Sequence, residues 1–131
     1  MKLAPPKVLI VDDEPHVGRF VEQLLQSINF PVVGQANSGG QALEKLKTLP
    51  VDLVILDITM PGISGDQLIA DIKSMNSDIL IVILSSRNTL ELVKKCKEQG
   101  ASGYILKNEK SENICRRIQE IWFSRLIMED G

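Results

Sequence analysis

The chain contains no apolar run approaching the roughly 18 residues needed to cross a bilayer, and Met1 to Lys7 hold no apolar stretch of signal-peptide length. The resulting expectation is a cytoplasmic protein without membrane attachment. Excess basic charge is also missing. The net charge is -2 and the pI near 5.4, so nothing draws the chain to nucleic acid in general, and a strongly basic DNA-binding module is excluded. There are two cysteines, Cys96 and Cys115, on different helical segments and without the close spacing of a zinc knuckle or redox pair, which reads as two reduced core or interface thiols. The one histidine, His16, falls in a first helical turn and reads as a solvated residue rather than a phosphotransfer group. A glycine-rich phosphate loop is absent: Asp12-Asp13-Glu14-Pro15 stands where a nucleotide binder would place Gly-x-Gly or a P-loop. No internal repeat, low-complexity stretch or interdomain linker is visible.

What is present fits one soluble domain. At 131 residues the chain is long enough for a core and too short for two comfortable ones, with 44% hydrophobic and 24% charged residues. Five apolar runs, Lys7–Val11, Pro31–Ala36, Val51–Asp57, Ile79–Leu84 and Gly103–Lys107, read as strands, the second as an edge strand because of its leading proline. Helical periodicity fills the intervals. Val17, Phe20, Val21, Leu24, Leu25 and Ile28 form one apolar face that ends near Asn29. Ser38 and Gln41 have capping-box spacing ahead of Ala42, Leu43, Leu46 and Leu49, with Pro50 as the stop. A third helix from about Gly65 turns Leu68, Ile69 and Ile72 inward. A fourth, from about Asn88, presents Leu90, Val93 and Cys96 and closes at Gly100. The fifth begins near Ser111 and aligns Ile114, Ile118, Ile121 and Trp122, a core residue; Leu126–Gly131 reads as its frayed end. Five β-α units with short, right-handed connections predict a doubly wound α/β domain: a parallel sheet with helices on both faces.

The stretch Leu53–Gly62 organises the rest. A buried apolar run delivers Asp57 at its carboxyl end, and Pro61-Gly62 then breaks the chain direction. In a parallel sheet all carboxyl ends share one edge, so Asp12, Asp13, Asp57, Ser85 and Lys107 converge there. Two carboxylates about 4 Å apart repel by roughly 4 kcal/mol at an effective dielectric near 20, so three together call for a counter-cation. Magnesium answers that need, because it binds through a few carboxylates together with water and phosphate. A carboxylate beside such an ion can itself accept a phosphoryl group. Asp57 fits that nucleophile, Asp12 and Asp13 the metal ligands, and Lys107 a clamp for the developing charge. Taken alone, Asp12-Asp13 could equally open a helix, and Ser86 could stand in for Ser85.

Four stretches in order, Val11-Asp12-Asp13-Glu14-Pro15, Leu56-Asp57-Ile58-Thr59-Met60-Pro61-Gly62 with Gly65, Leu84-Ser85-Ser86, and Gly100-Ala101-Ser102-Gly103-Tyr104-Ile105-Leu106-Lys107, give the chain its family likeness. It resembles the receiver domains of two-component response regulators over essentially its whole length. The resemblance implies a flavodoxin-like topology with strand order 2-1-3-4-5, in a single receiver domain over residues 1–131 with an ordered core of about 7–127 and no output domain in this chain. It also implies Asp57 as phosphoacceptor, with magnesium, or manganese in its place, held by Asp12, Asp13, Asp57 and the Thr59 backbone carbonyl. Ser85 would bond the phosphoryl group, Lys107 would pair with it, and Tyr104 would be the aromatic that turns inward. Thr59 and Arg87 take positions that tune the phosphoryl lifetime in this family. One departure is Asn108, where many members carry proline, which leaves the Lys107–Asn108 peptide geometry open.

The implied function is a phosphorylation switch that catalyses only its own phosphorylation and dephosphorylation. A sensor histidine kinase or phosphotransfer protein would supply the phosphoryl group. The face made by the fourth helix, fifth strand and fifth helix would be read by a downstream effector, a covalent output domain or a second copy of the chain, with no direct nucleic-acid contact by this domain. Two rivals share parts of the pattern. A phosphatase of the haloacid dehalogenase type wants a second aspartate where Thr59 stands, and a flavodoxin-like cofactor binder wants a Ser/Thr-rich loop after the first strand.

Overall fold

Five short apolar runs become the strands of one parallel sheet: β1 (Val8–Val11), β2 (Val32–Ala36), β3 (Leu53–Leu56), β4 (Leu80–Ser85) and β5 (Gly103–Leu106), in the order β2-β1-β3-β4-β5. The computed structural model describes residues 4–59, 65–87 and 89–130, the side chains of 126–130 excepted. Between the strands lie α1 (Pro15–Ser27), α2 (Gly39–Leu46), α3 (Gly65–Met75), α4 (Leu90–Gln99) and α5 (Ser111–Asp130). Among the described residues, no helix is long and apolar enough to cross a membrane.

Strand burial follows position in the sheet. β1 and β3 are buried at every residue, as strands covered on both faces must be, whereas the edge strand β2 is mostly half-buried and β5 alternates. Alternation divides the core in two. Val8, Ile10, Leu53, Ile55, Val82, Leu84 and Ile105 point to the side covered by Val21, Leu24 and Leu25 of α1 and Ile114, Ile118 and Trp122 of α5. Leu9, Val11, Val54, Leu56, Ile81 and Ile83 point to the other side, against Ala42 of α2, Leu68, Ile69 and Ile72 of α3, and Cys96 of α4. Each fully buried Leu or Ile contributes about 1.5–3 kcal/mol relative to exposure, so the central strands hold the layers together.

The helix ends use local chemistry. Asn29, with φ of 60°, turns the chain out of α1 in the left-handed conformation that Asn tolerates. The Ser38 hydroxyl accepts from the Gln41 amide at 3.1 Å, while the Gln41 side chain accepts from the Asn37 amide, so this capping box reaches one residue further back than its spacing suggests. α2 ends at Leu46, well before Pro50. Gly100, at φ 117°, closes α4.

Two residues expected in the core lie outside it. Leu90 is 83% exposed and Phe20 43% exposed. α4 starts at Leu90 behind the Thr89 cap, two residues after the expected start, and Leu92 packs with Cys96 instead. Asn88, like Pro61 and Gly62 of the expected chain break, lies outside the described residues. At the other end, α5 continues through Leu126 to Asp130 rather than fraying there. Cys96 and Cys115 are buried and free, on opposite faces of the sheet, so they cannot form a redox pair within the chain. His16 is 71% exposed and sits 3.3 Å from Glu14. The Trp122 indole donates to the Ala4 carbonyl at 3.2 Å while its ring packs in the core.

Candidate functional site

At the carboxyl edge of the sheet, the chain leaves β1 into Asp12-Asp13 and leaves β3 into Asp57. The Asp57 amide donates to the Val11 carbonyl at 2.9 Å, so the β1–β3 ladder runs one step beyond the strands and fixes Asp57 against the end of β1. Asp57 is 2% exposed, whereas Asp13 is open to solvent. One carboxylate oxygen from each of Asp12, Asp13 and Asp57 lies within 4.8 Å of the others.

Lys107 reaches this cluster from the end of β5. Its amide donates to the Ser85 carbonyl at 2.8 Å, and its Nζ lies 3.1 Å from Asp12 Oδ2 and 3.1 Å from Asp57 Oδ2. Burial works against the lysine charge, but bonds to Asp57 and Asp12 outweigh it and hold the ammonium above the ordinary lysine range. Burial also pushes the Asp12 carboxyl above the usual carboxylate range, although the Glu14 amide and Lys107 both favour its charged form. No peptide bond is cis among the described residues, so Lys107–Asn108 is trans.

The other oxygens of the two inner carboxylates are also engaged. Asp12 Oδ1 accepts from the Glu14 amide at 2.9 Å. Asp57 Oδ1 accepts from the Thr59 amide at 3.0 Å and from the Thr59 hydroxyl at 2.7 Å. Sequence reasoning gave Thr59 a metal-binding carbonyl and a place beside the phosphoryl group but no bond to Asp57; the hydroxyl two residues beyond Asp57 was the available signal for this contact. Gly65 brings α3 close to this turn, since a Cβ there would fall 2.4 Å from Ile58 Cβ and 2.7 Å from Ile58 Cα.

Ser85 and Tyr104 stand beside the cluster and are joined through one residue. Ser85 is fully buried and its Oγ accepts from the Arg87 amide at 3.1 Å. The Tyr104 hydroxyl donates to the Arg87 carbonyl, and burial holds its pKa above the ordinary tyrosine value. Ser86, the neighbouring alternative, is exposed.

Three carboxylates facing one ammonium leave two negative charges unmatched, the charge of one divalent cation. All-oxygen donors suit a hard ion such as magnesium, so this donor set fits the ion expected from the sequence. The site lacks the second aspartate a haloacid dehalogenase-type phosphatase would need, since Thr59 stands there and is bonded to Asp57 itself.

Comparison with known proteins gives the same picture. A family model described as the response regulator receiver domain matches residues 8–119. The nitrate/nitrite response regulator protein NarL of Escherichia coli is 29% identical over 128 residues, 97% of this chain and 59% of NarL. The DNA-binding transcriptional activator EvgA of Escherichia coli is 30% identical over 111 residues, 85% of this chain and 54% of EvgA. The chain thus spans a little over half the length of these relatives. Among solved structures, the CheX-CheY-BeF3-Mg complex from Borrelia burgdorferi matches with a TM-score of 0.84 at 29% identity, covering 88% of each chain.

Proposed function

Because this chain belongs to the response regulator receiver domains, we propose that Asp57 is its phosphoacceptor and that Asp12, Asp13, Lys107, Ser85 and Thr59 serve the transfer. The observation that carries this reading is the position of Asp57: nearly sealed from solvent, within 4.8 Å of two other carboxylates and paired to Lys107. A carboxylate oxygen of Asp57 attacks the phosphorus of a phosphohistidine, the new P–O bond forms as the P–N bond breaks, and the imidazole leaves. Asp12, Asp13, Asp57 and the Thr59 carbonyl would hold magnesium, or manganese in its place, which supplies charge neutralisation to the phosphoryl oxygens. The Borrelia CheY complex named above contains Mg and BeF3, which supports this assignment by analogy. Lys107 turns from the carboxylates to the phosphoryl group. Ser85 donates its hydroxyl to the same group.

The added charge, about -1.5 to -2 at neutral pH, draws the Ser85 hydroxyl as a donor, and because Ser85 Oγ accepts from the Arg87 amide, a shift of Ser85 acts on the loop that Tyr104 holds. Movement there changes the face made by α4, β5 and α5, which an effector, a second copy or a covalently attached output domain reads. A sensor histidine kinase or phosphotransfer protein is the donor. A DNA-binding output is the form suggested by the name of EvgA.

Acetyl phosphate with magnesium, followed by intact-mass spectrometry, tests the reading. The expected result is one phosphoryl adduct in the wild type and none in Asp57→Asn. An absent adduct, or one that survives the substitution, overturns it.

A further inference from the structure

The two ends of α4 are held by different kinds of contact. At the amino end Leu90 is exposed, and the segment before it is tied by two hydrogen bonds: the Tyr104 hydroxyl donates to the Arg87 carbonyl, and the Leu92 amide to Thr89 Oγ1 at 3.3 Å. Midway, Lys95 lies 3.6 Å from Asp66 in the first turn of α3, an ion pair with an exposed lysine and therefore a weak restraint. The carboxyl end is packed as well as bonded. There the Gly100 amide donates to the Lys97 carbonyl at 3.1 Å and the Ala101 amide to the Cys96 carbonyl at 3.0 Å, with Gly100 in the left-handed conformation.

Lys73, in the last turn of α3, crosses this cap. A Cβ built on Gly100 would fall 3.0 Å from Lys73 Cγ, 3.6 Å from Cδ and 3.4 Å from Cε, so the lysine stem lies against the glycine. The ammonium continues beyond it and donates to the Ser77 carbonyl at 2.7 Å and the Ile79 carbonyl at 2.8 Å, both in the connection between α3 and β4. Hydrogen bonds from a charged donor are strong, and these two fix the far end of a side chain that would otherwise be free to leave. Just past the cap, the Ser102 amide donates to the Ile81 carbonyl at 2.8 Å, so the chain leaving α4 is tied to the strand whose entry Lys73 holds. We propose that Lys73 pins the carboxyl end of α4, so that the helix swings about Gly100 and its amino end is the end that moves. The swing rests on the proposed reading of the face made by α4, β5 and α5; the pin stands without it. A displacement begun at Arg87 is then largest at Leu90 and dies away toward Gly100, about 15 Å along the helix.

Amide hydrogen exchange by NMR tests this on the purified chain, in wild type, Lys73→Met and Lys73→Ala. In the resting protein Lys73→Ala is expected to exchange on the order of tenfold faster at Gly100 and Ala101, with Leu92 and Val93 little changed and Lys73→Met intermediate. No gain at Gly100 and Ala101, or an equal gain along the whole of α4, overturns the pin. Should Lys73→Ala fail to fold by circular dichroism, Lys73→Met is read in its place, and an unchanged rate at the same two amides overturns the proposal. After acetyl phosphate and magnesium, wild type should change its exchange at Leu92 and Val93 and keep it at Gly100 and Ala101, whereas in Lys73→Ala the change should spread to both ends. An equal change at both ends of α4 in wild type overturns the pivot. A chain that takes up no phosphoryl group would instead sink the phosphoacceptor reading, and the resting comparison would still decide the pin.

Discussion

The hydroxyl of Tyr104, on β5, donates to the main-chain carbonyl of Arg87, whose own amide donates to Ser85 Oγ. One peptide segment thus joins the residue proposed to sense the phosphoryl group to the aromatic on the face proposed to be read by partners.

Tyr104→Phe keeps the ring and removes this tie. Net stability should fall by about 0.5–1.5 kcal/mol, the usual worth of one hydrogen bond, in urea denaturation. Amide exchange at Arg87 and Thr89 should quicken while the amides of β3 keep their protection. Unchanged exchange at Arg87 would mean that the hydroxyl does not restrain the loop.

Asp12 carries a pH signature. Its folded pKa is raised above its unfolded value near 3.8, so the fold favours the protonated form, and stability is lost as pH rises from that value through the folded pKa. In metal-free buffer at pH 7, Asp12→Asn should therefore melt at or above the wild-type temperature despite losing Lys107 as a partner. The difference should shrink as pH falls toward 4. Thermal melts in EDTA across that range check the sign, and a variant clearly less stable at pH 7 would contradict it.

Gly65→Ala should be costly. The new Cβ would meet the backbone as well as the side chain of Ile58, so relief requires moving the start of α3 or the turn after Asp57. A loss of about 1–3 kcal/mol is expected, as for overpacked cores, together with slower labelling by acetyl phosphate. Chemical denaturation and a labelling time course measure the two effects separately.

The two thiols should behave as isolated core groups. Native protein should react slowly with a thiol reagent and release two equivalents once unfolded in urea. Mild oxidation should leave the monomer mass unchanged, because Cys96 and Cys115 lie on opposite sides of the sheet. An internal disulfide by mass spectrometry would contradict this placement.

The alternation of strands and helices and the convergence of Asp12, Asp13, Asp57, Ser85 and Lys107 were legible because apolar runs and strand ends are local signals that a parallel sheet brings to one edge, whereas the strand order came from the family resemblance. The misses have local causes. Leu90 satisfies helical spacing to Val93, but it is the first residue of α4 and stays 83% exposed, so Leu92 and Cys96 carry the packing. Phe20 lies at the rim of a face that Gly18 narrows: Gly18 is buried close to the Gln35 side chain, and that approach defines which side of α1 meets the sheet. The sharing of Lys107 between two carboxylates was hidden, because spacing along the chain cannot specify where a flexible side chain ends. The bond from Tyr104 to a main-chain carbonyl was hidden for a similar reason, since every residue offers such an acceptor.

The sheet works as a partition as well as a scaffold. The acidic cluster, Tyr104 and α4 draw on one apolar compartment, while α1 and most of α5 close the other. A rearrangement of α4 can proceed by repacking Cys96, Leu92 and their neighbours without reopening the contacts of Val21, Leu25, Ile114 or Ile118. Sequence drift in one compartment is then mechanically insulated from the other, which leaves the half proposed to move free to change while the opposite half goes on holding the domain together.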